Sequence, residues 1–226
     1  SDQAYGRPTL FVGVGEMGTR VLCDLKQRLR DKFGNVDDIP AFQFLALETD
    51  PQSLAQVSAD SHEGALRYHE SLLLPLKEPQ DYRAKSSLLL EWMNRRWLYN
   101  IPRSRKTEGI RALGRLAFVD HFSSIVDALH TGLATAMAPD SLDATSRRTG
   151  IRFATGPPRV YVVGSTTGGT GSGMLLDLGY TLRTLFKKME ITDEHLCGIL
   201  TCATPLRAKA RDLAVANTVA LLGELK

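Results

Sequence analysis

The feature that most constrains the fold is a glycine-rich run that joins a predicted strand to a predicted helix. Residues 160–163 are Val-Tyr-Val-Val, and such β-branched and aromatic residues predict a buried strand. Only Gly, Ser and Thr follow from Gly164 to Gly173, and apolar residues at helical spacing then predict a helix from Met174 to about Lys188. Glycine N–H groups can surround a phosphate, and a helix N-terminus adds positive potential. The stretch therefore predicts an anion-binding loop. The alternative is a plain flexible turn, which would not explain so many glycines, because each glycine loses much conformational entropy on folding.

A second glycine turn lies near the N-terminus. Residues 8–14 form a predicted apolar strand that runs into a G-x-G-x-x-G turn, and a helix is predicted from Thr19 to about Lys32. This βα unit is typical of any dinucleotide-binding Rossmann domain, although a tight turn without a ligand fits the motif as well. Its candidate binding residues are Gly13, Gly15, Glu16, Met17 and Gly18.

Acidic residues end the next predicted strand, which covers residues 41–47. Glu48, Thr49 and Asp50 follow it directly. A Rossmann dehydrogenase places one acid about 20 residues after its glycines to bind ribose, whereas this turn comes later and includes a threonine. The three residues are candidates for ligand binding, and Asp50 is the candidate ligand for a hydrated Mg²⁺. Capping of a helix over 52–58 by Thr49 or Asp50 explains the same residues equally well.

Composition limits the classes of function. The 226 residues suffice for one well-packed α/β domain. A net charge of +3 is too small to imply nucleic acid by itself. The basic run over 83–115 is expected to be a solvated helix face with a few phosphate-directed arginines, and a nucleic-acid patch is the alternative. Three cysteines without a C-x-x-C spacing predict buried free thiols in a reducing compartment. No apolar run reaches the roughly 18 residues that a membrane span needs, so we expect a cytoplasmic protein.

The middle of the chain is predicted to be mainly helical. One helix over 82–99 carries both tryptophans and is expected to pack on the domain's own core, with a partner contact as the alternative. Residues 103–106 are expected to form an exposed loop. The other predicted elements are a helix over 109–129, a polar loop over 131–158, a strand over 196–204 and a helix over 208–226.

Three motifs resemble those of one family, the tubulin/FtsZ GTPases. Residues 168–173 are Gly-Gly-Thr-Gly-Ser-Gly, which resembles the signature loop of that superfamily. No Lys-Ser or Lys-Thr follows these glycines, so the loop is not a P-loop. Residues 47–54 are similar to the ending of the second FtsZ strand, with Glu48 in place of the family's Asn. The Gly-x-Arg-x-x-Gly-Arg pattern over 109–115 resembles a branch of bacterial tubulin-like proteins.

The resemblance implies a fold and a set of ligand residues. The fold is α/β, a Rossmann-like three-layer sandwich with a parallel sheet of the tubulin/FtsZ GTPase-domain type, over residues 1–226 with a helical insertion at about 55–108. Its ligands are GTP or GDP with Mg²⁺. In the glycine loop the implied ligand residues are Gly168, Gly169, Thr170, Gly171 and Ser172.

The resemblance also assigns residues outside the glycine loop. Arg111 or Arg115 is placed near the γ-phosphate, with ordinary surface arginines as the alternative. Asn217 is placed on the guanine, because an amide can both donate and accept hydrogen bonds. Arg211 is placed near the ribose, where Arg207 stands in the position of a family glutamate.

The implied function is GTP binding with self-association into filaments, in which hydrolysis is completed at a subunit contact. Family members continue into a second domain, and the loop that carries their water-activating acid lies beyond the position of Lys226. We therefore expect a fragment, and name no catalytic residue. A nucleotide-gated scaffold that does not hydrolyse GTP, with a partner held by the helix over 82–99, is the alternative. An NAD-binding Rossmann enzyme is a third, which the glycine loop disfavours.

Overall fold

The fold is built on one parallel sheet. The computed structural model describes residues 5–58, 64–192, 195–205 and 208–225. Within them, five strands pair in parallel in the order β3-β2-β1-β4-β5. The strands are β1 (Thr9–Val14), β2 (Phe42–Glu48), β3 (Ser71–Leu73), β4 (Arg159–Ser165) and β5 (His195–Thr201). The predicted parallel sheet is confirmed, and it gains an edge strand, β3, from the segment predicted to be a helical insertion.

Helices connect the strands. They are α1 (Gly15–Phe33), α2 (Pro51–Ser58), α3 (Pro79–Arg83), α4 (Ser86–Leu89), α5 (Arg95–Tyr99), α6 (Arg111–Asp120), α7 (Phe122–Met137), α8 (Pro139–Thr149), α9 (Gly169–Lys188) and α10 (Ala208–Glu224). In the part of the chain that the structure describes, none of them combines the length and the apolar character that crossing a membrane requires.

Alternating side chains bury the sheet on both faces. In β1, Leu10 and Val12 belong to the larger hydrophobic core, which α7 and α9 cover. Phe11, between them, packs on a smaller core that contains Phe44 of β2 and Leu22 of α1. Because successive strand residues point to opposite faces, β1 and β2 each contribute to both cores. The result is the predicted three-layer sandwich, with helices on either side of the sheet.

The strand order places a crevice beside β1. From β1 the chain proceeds to β2 and β3 on one side of the sheet, and β4 and β5 then extend it on the other side. In open α/β sheets, ligands bind at the carboxyl ends of the strands where the order reverses in this way. Both glycine turns follow strands at this reversal, since α1 begins after β1 and α9 after β4.

The prediction of one helix over 82–99 is wrong. The segment forms three short helices, α3, α4 and α5. Asn94 caps the start of α5, since its side chain accepts a hydrogen bond from the Arg96 N–H at 2.8 Å. The expectation that this segment packs on the domain's own core is confirmed, since Leu89, Met93 and Leu98 are buried in the larger core. A partner contact through this segment stays a prediction.

Several other predicted boundaries shift. The prediction of a polar loop over 131–158 is wrong, because α7 continues to Met137 and Pro139 starts α8. In α8, Ser and Thr hydroxyl groups donate hydrogen bonds to backbone carbonyls one turn back. The helix predicted over 109–129 is broken at His121 into α6 and α7. Most relevant to the site, α9 begins at Gly169 rather than at Met174, so much of the glycine run is helix.

Candidate functional site

An open cleft of about 550 Å³ lies at the carboxyl edge of the sheet. Four segments form most of its wall: the turn from β1 to α1, the end of β2, residues 106–109, and the loop from β4 to α9. It contains ten of the predicted ligand residues, namely Gly15, Glu16, Met17, Glu48, Thr49, Asp50, Gly168, Gly169, Thr170 and Gly171. The structure therefore brings together residues that are separated by up to 156 positions in the chain.

The turn from β1 to α1 has no connecting loop. Gly15 has a φ of 73°, which glycine adopts readily, and it begins α1 directly after Val14 ends β1. The first N–H groups of α1, which have no partners within the helix, therefore lie at the cleft beside Gly15 and Glu16. Gly13 and Gly18 lie behind the turn, where a Cβ atom on Gly13 would be 2.5 Å from the Gly18 carbonyl oxygen. Their role is to let the strand and the helix approach.

The loop from β4 to α9 is shorter than predicted. Gly168 precedes α9 and lines the cleft, and a Cβ atom added to it would meet no protein atom within 4 Å. Ser172 is fully buried and donates a hydrogen bond to the Gly168 carbonyl at 2.5 Å, so its hydroxyl stabilises the first helical turn. Gly173 packs against α6, where an added Cβ atom would lie 2.8 Å from the Gly114 Cα. The glycine run thus serves the cleft at its start and helix packing at its end.

Glu48 and Asp50 end β2 in different environments. Glu48 is 2% exposed, and its Oε1 accepts hydrogen bonds from the N–H groups of Thr49 at 2.7 Å and Asp50 at 3.1 Å. Its Oε2 has no hydrogen-bond partner among the described residues. Burial raises the pKa of Glu48, an effect that the two N–H groups only partly oppose.

Asp50 is held in place by its neighbours. Its Oδ1 accepts a hydrogen bond from the Gln52 N–H at 2.8 Å, and this bond caps α2. The same oxygen lies 2.9 Å from the Lys106 Nζ. Partial burial raises the pKa of Asp50, but the hydrogen bonds from Lys106 and the backbone outweigh it, so the pKa lies below its ordinary value. The capping role considered for this residue is therefore present.

Three threonine hydroxyls join the walls of the cleft. Thr170 Oγ1, at the start of α9, lies 2.8 Å from Thr49 Oγ1 and 3.2 Å from Thr107 Oγ1. All three residues are buried. Because a hydroxyl can donate one hydrogen bond and accept others, Thr170 can bond to both partners at once. The three segments therefore form one connected wall.

Two arginines predicted near the phosphate lie outside the lining of the cleft. Arg111 donates from its Nε to the Ser172 carbonyl at 3.0 Å and forms a bidentate pair with Glu224 of α10. Arg115 pairs with Asp177 at 3.1 Å and lies over the Trp92 ring. Both side chains thus connect α6 to its neighbours, and their contact with phosphate stays a prediction.

The residues predicted to bind the nucleoside also lie beside the cleft rather than in its lining. Asn217 is 4% exposed, and its Nδ2 donates to the Gly109 and Thr167 carbonyls at 2.8 and 2.9 Å, so it joins two loops of the cleft wall. Arg211 borders a small adjacent cavity that shares Thr167 and Ala203 with the cleft. Arg207 lies outside the described residues.

Lys106 and Thr107 line the cleft and were not predicted as ligand residues. Lys106 was assigned to an exposed loop, yet its side chain is 26% exposed. A lysine in a polar stretch does not by itself indicate a ligand-binding residue. Its role could be predicted only by knowing that this loop returns to the carboxyl edge of the sheet. Among the described residues, no cluster of three or more His, Cys, Asp or Glu side chains is arranged to bind a metal.

Comparison with known proteins identifies the architecture. Residues 10–226 match the family described as tubulin like. The fold is similar to CetZ from Methanosaeta thermophila (15% identity, TM-score 0.55) and to CetZ1 from Haloferax volcanii as a GDP-bound monomer (13%, 0.56). It is also similar to CetZ2 from Haloferax volcanii as a GTPγS-bound protofilament (18%, 0.54).

The chain spans less than half of those structures. The matches cover 96%, 95% and 95% of this chain, but 42%, 46% and 45% of CetZ, CetZ1 and CetZ2 respectively. No curated protein matches the chain. At these low identities, the structural similarity shows a shared fold, which is of the tubulin/FtsZ GTPase-domain type. Because the family match extends over almost the whole sequence, the chain belongs to the tubulin-like family.

Proposed function

We propose that the chain binds GTP or GDP in the cleft between its two glycine turns. The observation that carries this proposal is that α1 and α9 both begin at this one cleft, at the reversal of strand order. Two helix N-termini supply N–H donors and positive potential to the same space, as a polyphosphate requires. Solved relatives of the same fold are a GDP-bound CetZ1 and a GTPγS-bound CetZ2, which supports guanine nucleotides over other ligands.

Mg²⁺ fits the acidic end of β2. Asp50 lines the cleft, and Glu48 places beside it a buried carboxylate oxygen that lacks a partner among the described residues. Carboxylate oxygens suit this ion, which in nucleotide sites is held by one or two carboxylates together with phosphates and water. We propose that Asp50, with Glu48 behind it, holds the hydrated ion. When bound, Mg²⁺ would neutralise phosphate charge.

Self-association follows as a second part of the proposal. CetZ2 is a protofilament and an FtsZ of the same fold is a dimer, at 16% identity and a TM-score of 0.50. We propose that this protein assembles in the cytoplasm and that hydrolysis is completed at a subunit contact. A scaffold that holds GTP without turnover is the alternative. Turnover per subunit that rises with protein concentration supports assembly-linked hydrolysis, and its absence supports the scaffold.

Isothermal titration with GTP, ATP and NAD, with and without Mg²⁺, tests the binding proposal. The decisive variant is Gly168→Ala, because Gly168 lines the cleft, has an extended backbone that alanine adopts, and leaves a Cβ atom free of protein contacts. We expect it to fold and to bind GTP at least about tenfold more weakly, since its methyl group occupies space at the N-terminus of α9.

Gly179→Ala is the matched control. Gly179 lies within α9, the helix that Gly168 precedes, and a Cβ atom there also meets no atom within 4 Å, but Gly179 is outside the lining of the cleft. We expect unchanged GTP affinity. Preference of the wild type for NAD would favour an oxidoreductase, and equal GTP affinity of both variants would contradict binding at the glycine loop.

A further inference from the structure

Lys106 is a cation at the wall of the cleft that comes from a loop distant in sequence from both glycine turns. It lies between α5 and α6, and its Nζ is 2.9 Å from Asp50 Oδ1 and 3.1 Å from Gln52 Oε1. The glycine loop itself carries no lysine in the P-loop position. A lysine supplied from another segment would restore that chemistry.

The loop that carries Lys106 is held in an unusual conformation. Arg105 and Glu108 have φ values of 58° and 48°, in the left-handed region that side-chain-bearing residues seldom adopt. Such conformations persist only where surrounding contacts impose them. Here Arg105 donates from its Nε to the Leu76 carbonyl at 2.6 Å, and Thr107 bonds to Thr170 on the opposite side. Lys106, between these anchors, is therefore positioned by the fold.

The lining of the cleft is more acidic than basic, so a bound phosphate needs a nearby cation. Its described lining contains the acids Glu16, Glu48, Asp50 and Glu108 and the bases Arg20 and Lys106. Arg20 pairs with Glu16 at 2.7 Å, and more than half of each side chain is exposed. The Lys106 and Asp50 side chains are 26% and 27% exposed, so they lie deeper. A nucleotide phosphate entering among these acids meets repulsion unless a cation compensates it.

We propose that Lys106 is the phosphate-binding lysine of this site, held in position by Asp50 and Gln52. The inference rests on the proposed nucleotide function. An ammonium group has three donors on a flexible stem, and Asp50 and Gln52 accept from two of them, so a phosphate oxygen can take the third without breaking the pair. Asp50 would also hold a divalent cation, and Lys106 would then be free to turn further toward the phosphates. Lys106 and the metal thus share the task of neutralising phosphate.

Titration of Lys106→Met with GTP, GDP and guanosine, in chelator and in Mg²⁺, tests the proposal. In chelator we expect GTP and GDP to bind about 10- to 100-fold more weakly than to wild type, the size of a lost charge-assisted hydrogen bond. We expect a smaller loss in Mg²⁺ and no loss for guanosine, measured by competition. Lys106→Arg should recover most of the affinity, because it keeps the charge. Lys187→Met, an exposed lysine at the far end of α9, is the control and should match wild type.

The outcomes separate this inference from the function on which it rests. Equal GTP affinity of Lys106→Met and wild type in chelator overturns the role of Lys106 and leaves nucleotide binding intact. A loss as large for guanosine as for GTP also overturns it, because Lys106 would then shape the cleft rather than contact phosphate. Failure of the wild type to bind any nucleotide overturns the proposed function, and this inference with it.

Discussion

Two loops meet at the cleft, and the sequence determines them in different ways. The loop from β4 to α9 belongs to one continuous run of small residues that its own composition marks, although Asn217 also bonds to its Thr167 carbonyl. The loop over 104–109 owes its shape to distant contacts: Leu76 anchors one end, Asn217 the other, and Thr170 the middle. Both walls therefore depend on the completed fold, but only the first is marked by its own composition. The first can be recognised in a single sequence, whereas the second cannot.

Removing the glycine that ends this run, Gly173 inside α9, should have the largest effect. A Cβ atom at Gly173 would lie 2.7 Å from the Arg115 N and 2.8 Å from the Gly114 Cα, both backbone atoms that cannot move aside. We expect Gly173→Ala to lower the free energy of unfolding by about 3 kcal/mol, because it separates α6 from α9. Urea denaturation followed by circular dichroism measures the change.

The same helix offers a control of opposite sign. Gly179→Ala meets no atom within 4 Å, so it should raise the free energy of unfolding by about 0.5–1 kcal/mol through better helix propensity. Equal stability of Gly173→Ala and wild type would show that α6 and α9 do not pack closely. The final glycine of the signature would then be free for ligand binding.

A smaller effect should reveal how firmly the two walls are joined. Thr170→Val keeps the shape of the side chain but removes the hydroxyl that bonds to Thr49 and Thr107. We expect a loss of about 1–3 kcal/mol, because two buried hydroxyls are left without this partner. Thermal unfolding should show a Tm lower by several degrees, and Thr170→Ser, which keeps the hydroxyl, should recover most of it. A Tm unchanged in Thr170→Val would mean that the walls are held independently.

The same contrast explains which parts of the site could be predicted. Gly15 and Gly168 were found because glycines between a strand and a helix have few other uses, and Asp50 because it ends a buried strand. Lys106 was missed because its role depends on where a loop returns in three dimensions. The prediction of one helix over 82–99 is wrong for a related reason. Leu89, Met93 and Leu98 are buried at helical spacing, but the cap at Asn94 starts a separate helix, and hydrophobic periodicity does not reveal a cap.

Glu48 depends on both the local sequence and the completed fold. Among the substitutions at the site, a change at Glu48 should alter the free energy of unfolding the least. Its position follows from the local strand ending, but its burial follows from the fold. Because burial raises its pKa, the native state holds the proton more tightly than the unfolded state does. The free energy of unfolding should therefore fall as pH rises from the ordinary glutamate pKa, about 4.3, through the raised native value.

Glu48→Gln removes this titration. Thermal unfolding in chelator from pH 4.5 to pH 8 should show the variant gaining on wild type as pH rises, by about 1 kcal/mol at the upper end. A variant that loses stability relative to wild type at high pH would show that the ionised carboxylate is stabilised in the fold. In that case the unpaired Oε2 would not destabilise the fold, and a bound cation would have no such destabilisation to remove. Glu48 would then no longer support the proposal of a metal ion beside Asp50.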